Sequence, residues 1–298
     1  MKALDYIDNK CLFVLGKGNP GDGKSIAISS WLEQGPMFFF DFDGKIKAII
    51  NFWKKHNKAL LNNLEFEHYD DYNKAAKKLE SFIDDGHPYT GGVVIDTLTT
   101  GVDSILTQIH DVKGGSKKVI GGIAVNEIED YNAESSALTR LVQDSKFKLH
   151  KNLNTNFFML AHVVAVESHD LKSNSKVVTR QLVTAGKKVA AKLPGYFDEI
   201  WHFYTESAPD GNGKVSQRYK VTTQATGVDF ARTSCNLPVN FDVTYPGRTL
   251  YQQVKAELDV MPLGESKPLP TVPESKLVNG NMALVNKLIN RENVSKEP

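Results

Sequence analysis

The sequence predicts an α/β fold in which a mostly parallel central sheet is flanked by helices and extended by an antiparallel β-hairpin. Short continuous apolar runs (residues 11–16, 37–41, 91–96 and 156–162) each stop at a glycine or a polar residue, as strands buried on both faces do. Segments with helical spacing alternate with them, the pattern of a parallel sheet with crossover helices. Farther along, EIWHFYTES and VSQRYKVTTQ read as alternating strands joined by PDGNGK, whose Asp–Gly and Asn–Gly pairs mark a hairpin turn.

The elements follow in order. CLFVLG is a strand that ends at a glycine-rich turn, and SIAISSWLEQG is a helix closed by Gly35. PMFFFDFDG holds a second buried strand, 37–41, followed by two carboxylates, Asp41 and Asp43. KIKAIINFWKKHN is helical, with Ile46, Ile49, Ile50 and Trp53 on the inward stripe. LEFEHYD is a short strand and DYNKAAKKLESFIDDG a helix. GGVVID is a strand ending in Asp96, and a helix runs from Thr99 to about His110. Residues 112–122, with four glycines in eleven, break the periodicity; helical spacing returns over 126–149, and NFFMLAH is a strand ending at His162. Residues 163–192 are polar, basic and irregular. One core domain is expected over 1–257. Residues 258–298 form a linker with prolines at 262, 268, 270 and 273, then an amphipathic stretch carrying Met282, Val285, Leu288 and Ile289.

Composition bounds the function. The 298 residues are 41% hydrophobic and 24% charged with net charge +1, so a nucleic-acid partner would have to be held by local loops rather than a global basic field. Cys11 and Cys235 have no zinc or disulfide spacing. The N-terminus has no signal-peptide pattern and no apolar run is long enough for a bilayer, so the expectation is a cytoplasmic protein without a membrane partner.

Residues 18–25, Gly18-Asn19-Pro20-Gly21-Asp22-Gly23-Lys24-Ser25, match GxxxxGK[ST] in full between a strand and a helix that continues with Ile26. Glycines let successive backbone N–H groups wrap a phosphate at a helix N-terminus. Lys24 can reach the β- and γ-phosphates of ATP and Ser25 can ligate Mg²⁺. Asp96, an acid at a strand end, is the candidate for the metal shell, although such an acid can also cap a helix. Asp43 can orient and deprotonate an attacking water; Asp41, one pleat away, competes for that role.

This order of motifs resembles the RecA-like P-loop core. The closer resemblance is to phage-encoded RecA-like ATPases of the single-strand annealing type, carried by GNPGDGKS, FDFDG, VVIDTLT, FFMLAH, LPGYFDEIWHF and YKVTTQATGVDFARTSCNLP across residues 11–238. The family acid is usually glutamate; Asp43 occupies its place and is one methylene shorter. The resemblance implies that His162 is a γ-phosphate sensor, where the family usually has glutamine, and that Arg232 reaches a neighbouring subunit's γ-phosphate. It also implies a ring or filament, single-stranded DNA as partner, and the cytoplasm of an infected bacterial host.

Two basic segments follow the Asp96 and His162 strands: Lys113, Lys117 and Lys118 in the first, and Lys172, Lys176, Arg180, Lys187 and Lys188 in the second. Cations grouped on mobile loops suit DNA phosphates without sequence reading. The tail could dock a neighbouring subunit or a single-strand-binding protein. The alternatives are a nucleotide-dependent switch or assembly protein without DNA, and a helicase-like motor.

Overall fold

The computed structural model describes residues 11–112, 119–120, 123–124, 126–170, 175–183, 187–209, 215–225 and 230–260. The chain forms one compact unit through Leu258. The prolines and amphipathic stretch of the tail lie outside the described residues.

In chain order the strands are β1 (Phe13–Gly18), β2 (Met37–Asp41), β3 (Leu64–His68), β4 (Gly92–Asp96), β5 (Val119–Ile120), β6 (Ile123–Ala124), β7 (Phe157–Asp170), β8 (Ser175–Leu182), β9 (Glu199–Pro209), β10 (Val215–Thr222) and β11 (Asn240–Asp242). The α-helices are α1 (Lys24–Ile28), α2 (Lys47–His56), α3 (Tyr72–Asp85), α4 (Leu98–Val112), α5 (Ile128–Asp144), α6 (Lys187–Lys192) and α7 (Leu250–Val260). The main sheet runs β11-β10-β9-β1-β7-β4-β2-β3. All contacts from β9 to β3 are parallel, and β9–β10 is the expected antiparallel hairpin.

Alternation along the apolar strands explains why the runs are continuous. Phe13 and Leu15 of β1, Phe38 and Phe40 of β2, and Phe157 and Met159 of β7 pack on one face against α3, α4 and α5. Val14, Met37, Phe39, Phe158 and Leu160 pack on the other against α1, α2 and α7. With helices on both sides, every position is interior. Each buried aromatic or aliphatic side chain contributes on the order of 1.5–3 kcal/mol.

Three expectations are corrected. The helix after the phosphate loop is only α1, followed by a 3₁₀ turn over Ser29–Glu33. Ser29 and Ser30 hydroxyls donate to the carbonyls of Ile26 and Ala27, competing with the helical ladder. The helical spacing over 126–149 divides into α5 and a π-helical segment, Ser145–Asn152. The second basic segment is not an irregular loop. β7 continues past His162 to Asp170 and pairs antiparallel with β8, from Val163 opposite Leu182 to Asp170 opposite Ser175. Its valines and threonine suit a pleated ribbon, and the ladder satisfies backbone groups that a loop would leave to water.

Candidate functional site

β1 ends at Gly18, and the loop turns through Gly21 and Gly23, whose φ values of +89° and +78° favour glycine. A Cβ at Gly18 would lie 2.5 Å from the Phe203 carbonyl oxygen. Asp22 braces the loop from within, accepting from the Asn19 N–H at 2.6 Å. The result is a backbone cradle at the start of α1.

Lys24 is buried, and its ammonium donates to the Gly18 and Asn19 carbonyls, each at 2.9 Å. Burial pushes its pKa down to about 8, against the opposing pull of Asp96, Asp22 and Asp43. Asp96 lies beside it at the end of β4. Burial lifts its carboxyl to about 6, although a hydrogen bond from the Ser25 hydroxyl favours the ionised form. Ser25 and Asp96 thus form a hard-oxygen pair next to the cradle, the donor chemistry that suits Mg²⁺.

The two β2 acids separate by role. Asp41 is buried and accepts from the N–H groups of Lys45 and Ile46 at 3.1 and 3.2 Å, with His68 Nδ1 at 2.8 Å. It fastens the turn. Asp43, carried by that turn, faces the cradle cavity. Burial alone would raise its pKa, but the nearby His162 ring and hydrogen bonds from Thr100, Lys45 and Thr97 hold it well below the usual carboxylate range. Thr97 donates at 3.0 Å and Lys45 at 3.1 Å. Thr97 and Thr100 were not singled out from the sequence. The signal was there: the two threonines follow Asp96 at a three-residue spacing, which places them on one side of the turn that opens α4.

His162 reaches the same point because β7 is inserted between β1 and β4, with Gly18 and His162 paired in register. Its Nδ1 lies 3.2 Å from Lys24 Nζ and its Nε2 3.6 Å from Asp43 Oδ2. Its own backbone N–H donates to Thr99 Oγ1 at 3.1 Å.

Lys24, Ser25, Asp43, Asp96 and His162 line one cavity of about 720 Å³. Pro20, Gly21, Gly23 and Ile26 also border it. Its aromatic end is formed by Phe52, Tyr245 and His56, while Tyr219 lines the cavity beside Gly23. The His56 and Tyr245 rings are 4.0 Å apart, centroid to centroid, and Phe52 meets Tyr245 at 5.5 Å. These residues were missed in the sequence because they come from segments about 190 positions apart.

Arg232 is placed elsewhere. Its backbone bridges Ile200 of β9, and its guanidinium donates to the carbonyls of Pro194 and Phe197. Arg180 lies on β8, with Nη1 3.4 Å from His202 Nε2. Lys176 is on β8, and Lys187 and Lys188 open α6. Lys113, Lys117, Lys118 and Lys172 lie outside the described residues. Among the described residues no cluster of three His, Cys, Asp or Glu forms a further metal site, and no helix is long and apolar enough to cross a membrane.

A glycine cradle between β1 and α1, with β7 inserted between the cradle strand and the Asp96 strand, defines an α/β P-loop fold. Among solved structures the chain is similar to the RadB recombinase, at 11% identity and a TM-score of 0.40, covering 74% of this chain and 86% of that one. It is also similar to an ATPase from the type III secretion system of pathogenic bacteria, at 14% identity and a TM-score of 0.34, covering 66% of this chain. The match spans 54%, about half, of that ATPase's length. With both scores this low, the fold rests on strand order and the cradle rather than on these likenesses. No protein-family model matches the chain, and no curated protein does.

Proposed function

We propose that the chain is a RecA-like ATPase that binds ATP with magnesium in this cavity, assembles into a ring or filament, and binds single-stranded DNA in phage recombination or annealing. The observation that carries the ATPase reading is the convergence of a phosphate cradle, a buried lysine and three polar side chains, Asp43, Asp96 and His162, on one cavity. The cavity is of nucleotide size. Phosphates fit the cradle end, and a base and ribose fit the aromatic end.

In the proposed cycle Lys24 leaves the loop carbonyls for the β- and γ-phosphates. Ser25 and Asp96 would hold Mg²⁺, which neutralises charge on the phosphate oxygens. Asp43, fixed by its donors, places negative charge beside His162 at the cradle cavity, where water activation requires it. Arg232 could serve a neighbouring subunit only after releasing the carbonyls of Pro194 and Phe197. The DNA reading is supported by continuity: β7 runs without interruption from His162 into the ribbon that carries Arg180. A shift at His162 therefore has a rigid strand along which to travel.

The test combines ATP hydrolysis with a salt titration of single- and double-stranded DNA binding, each with and without ATP. Hydrolysis with ATP-dependent, salt-sensitive single-strand binding is expected. Nucleotide binding without DNA binding at any salt would leave the switch reading in place of the annealing one.

A further inference from the structure

The position of His162 between two charged groups assigns it more than sensing. Its two ring nitrogens face different partners: Nε2 faces Asp43 Oδ2 at 3.6 Å, and Nδ1 faces the Lys24 ammonium at 3.2 Å. A carboxylate on one side selects the tautomer with the proton on Nε2. An ammonium on the other side requires a lone pair on Nδ1. Both neighbours therefore call for the same neutral imidazole, with its acceptor nitrogen aimed into the phosphate cradle. The ring is held there by its own backbone, through His162 N–H to Thr99 Oγ1 and Val183 N–H to the His162 carbonyl at 2.9 Å.

We propose that His162 Nδ1 is the proton acceptor for the attacking water, and that Asp43 acts chiefly by orienting the imidazole. The inference rests on the ATPase reading above. When Lys24 turns to the phosphates, Nδ1 loses its donor and is left facing the γ-phosphate region. Water oxygen then bonds to the γ-phosphorus as the bond to the bridging β-oxygen breaks, and that electron pair leaves on ADP. One water proton passes to Nδ1, and the imidazolium so formed lies against the Asp43 carboxylate. The proton later leaves to solvent, so ATP and water give ADP, phosphate and a proton. The 3.6 Å separation is longer than a hydrogen bond, and catalytic contacts of this kind commonly tighten once substrate is bound. The charged groups that face the ring are Lys24 and Asp43; Lys24 in turn feels Asp96, Asp22 and Lys45, and Asp43 accepts a hydrogen bond from Lys45.

A glutamine at this position can sense a phosphate but cannot take a proton, which separates the two roles. The experiment measures kcat against pH at saturating ATP and magnesium for wild type, His162→Gln and Asp43→Asn, across the range where imidazoles titrate. Binding of a fluorescent ATP analogue is measured in the same samples. The wild type should lose kcat on the acid side through one ionisation. His162→Gln should bind the analogue within a few-fold of wild type, lose turnover by about 10²–10⁴-fold, and lose that ionisation. His162→Gln retaining turnover within about tenfold, or keeping the acid limb, overturns the proposal and leaves His162 a sensor. A wild type that binds the analogue without turnover overturns it too, while sparing the nucleotide site. A wild type that binds no analogue overturns the ATPase reading itself.

Discussion

Replacing Lys24 with methionine should end turnover, leave the nucleotide-free protein within about 2 kcal/mol of wild type at pH 7, and change how its stability depends on pH. The fold lowers the Lys24 pKa from 10.5 to about 8, chiefly by burial. That lowering corresponds to about 3 kcal/mol of disfavour for the charged form. Methionine conserves the volume and removes the charge, but it forfeits the contacts to the Gly18 and Asn19 carbonyls and to His162 Nδ1. The Gly18 carbonyl is buried, so stranding it costs about 1–3 kcal/mol, and the two more accessible partners cost about 0.5–1 kcal/mol each. The opposing contributions nearly cancel, which leaves the variant within about 2 kcal/mol of wild type at pH 7.

The pH dependence has a defined sign. Between about pH 8 and 10.5 the unfolded chain keeps a proton on Lys24 that the folded chain has lost, so wild-type stability rises with pH relative to the variant. The stability of Lys24→Met relative to wild type is therefore highest below about pH 8 and falls by about 3 kcal/mol toward 10.5. Thermal unfolding of both proteins without nucleotide or magnesium, at pH 7 and in steps up to pH 10, measures it. ATPase assays on the same preparations should show a loss of at least about 10²–10³-fold, because no other buried cation faces the cradle among the described residues. A variant more than about 2 kcal/mol from wild type at pH 7, or a stability difference that does not move against the variant between about pH 8 and 10, would refute the reasoning.

Four further outcomes are expected. Asp43→Asn should lose turnover while nucleotide binding survives, whereas Asp41→Asn should cost about 1–3 kcal/mol of stability, because it unfastens the turn at Lys45 and Ile46; denaturant melts and binding assays separate the two. Gly23→Ala should weaken nucleotide binding by at least about tenfold, since φ is +78° and the new methyl would sit 2.8 Å from Tyr219 Cδ1; calorimetric titration with an ATP analogue checks it. Glu199→Ala should cost at least about 3 kcal/mol by denaturant unfolding, because it strands the Trp201 indole and the Ser234 and Cys235 N–H groups that this buried carboxylate satisfies. Lys187→Glu with Lys188→Glu should weaken single-stranded DNA binding and flatten its salt dependence with little change in ATP affinity, and unchanged binding across a salt titration would count against the DNA reading.

The sequence by itself determined the phosphate loop, because its chemistry is local: eight consecutive residues supply the glycine backbone, the lysine and the serine. It also determined the buried strands and the acids after β2 and β4, since an apolar run closed by a carboxylate reads without knowledge of its neighbours. It did not distinguish Asp41 from Asp43. That depended on which carboxylate met the N–H groups of its own turn and which met Thr97 and Thr100, more than fifty positions away. Only the tertiary structure decided that β7 lies between β1 and β4, which places His162 against Lys24 at a sequence distance of 138. The same holds for the aromatic end of the cavity, where His56 meets Tyr245, and for the β7–β8 ribbon, where charge along the chain concealed alternating β-formers. Strand order and ring contacts are settled by which buried faces match across the whole core, and a run of apolar residues encodes that it is buried without encoding beside what.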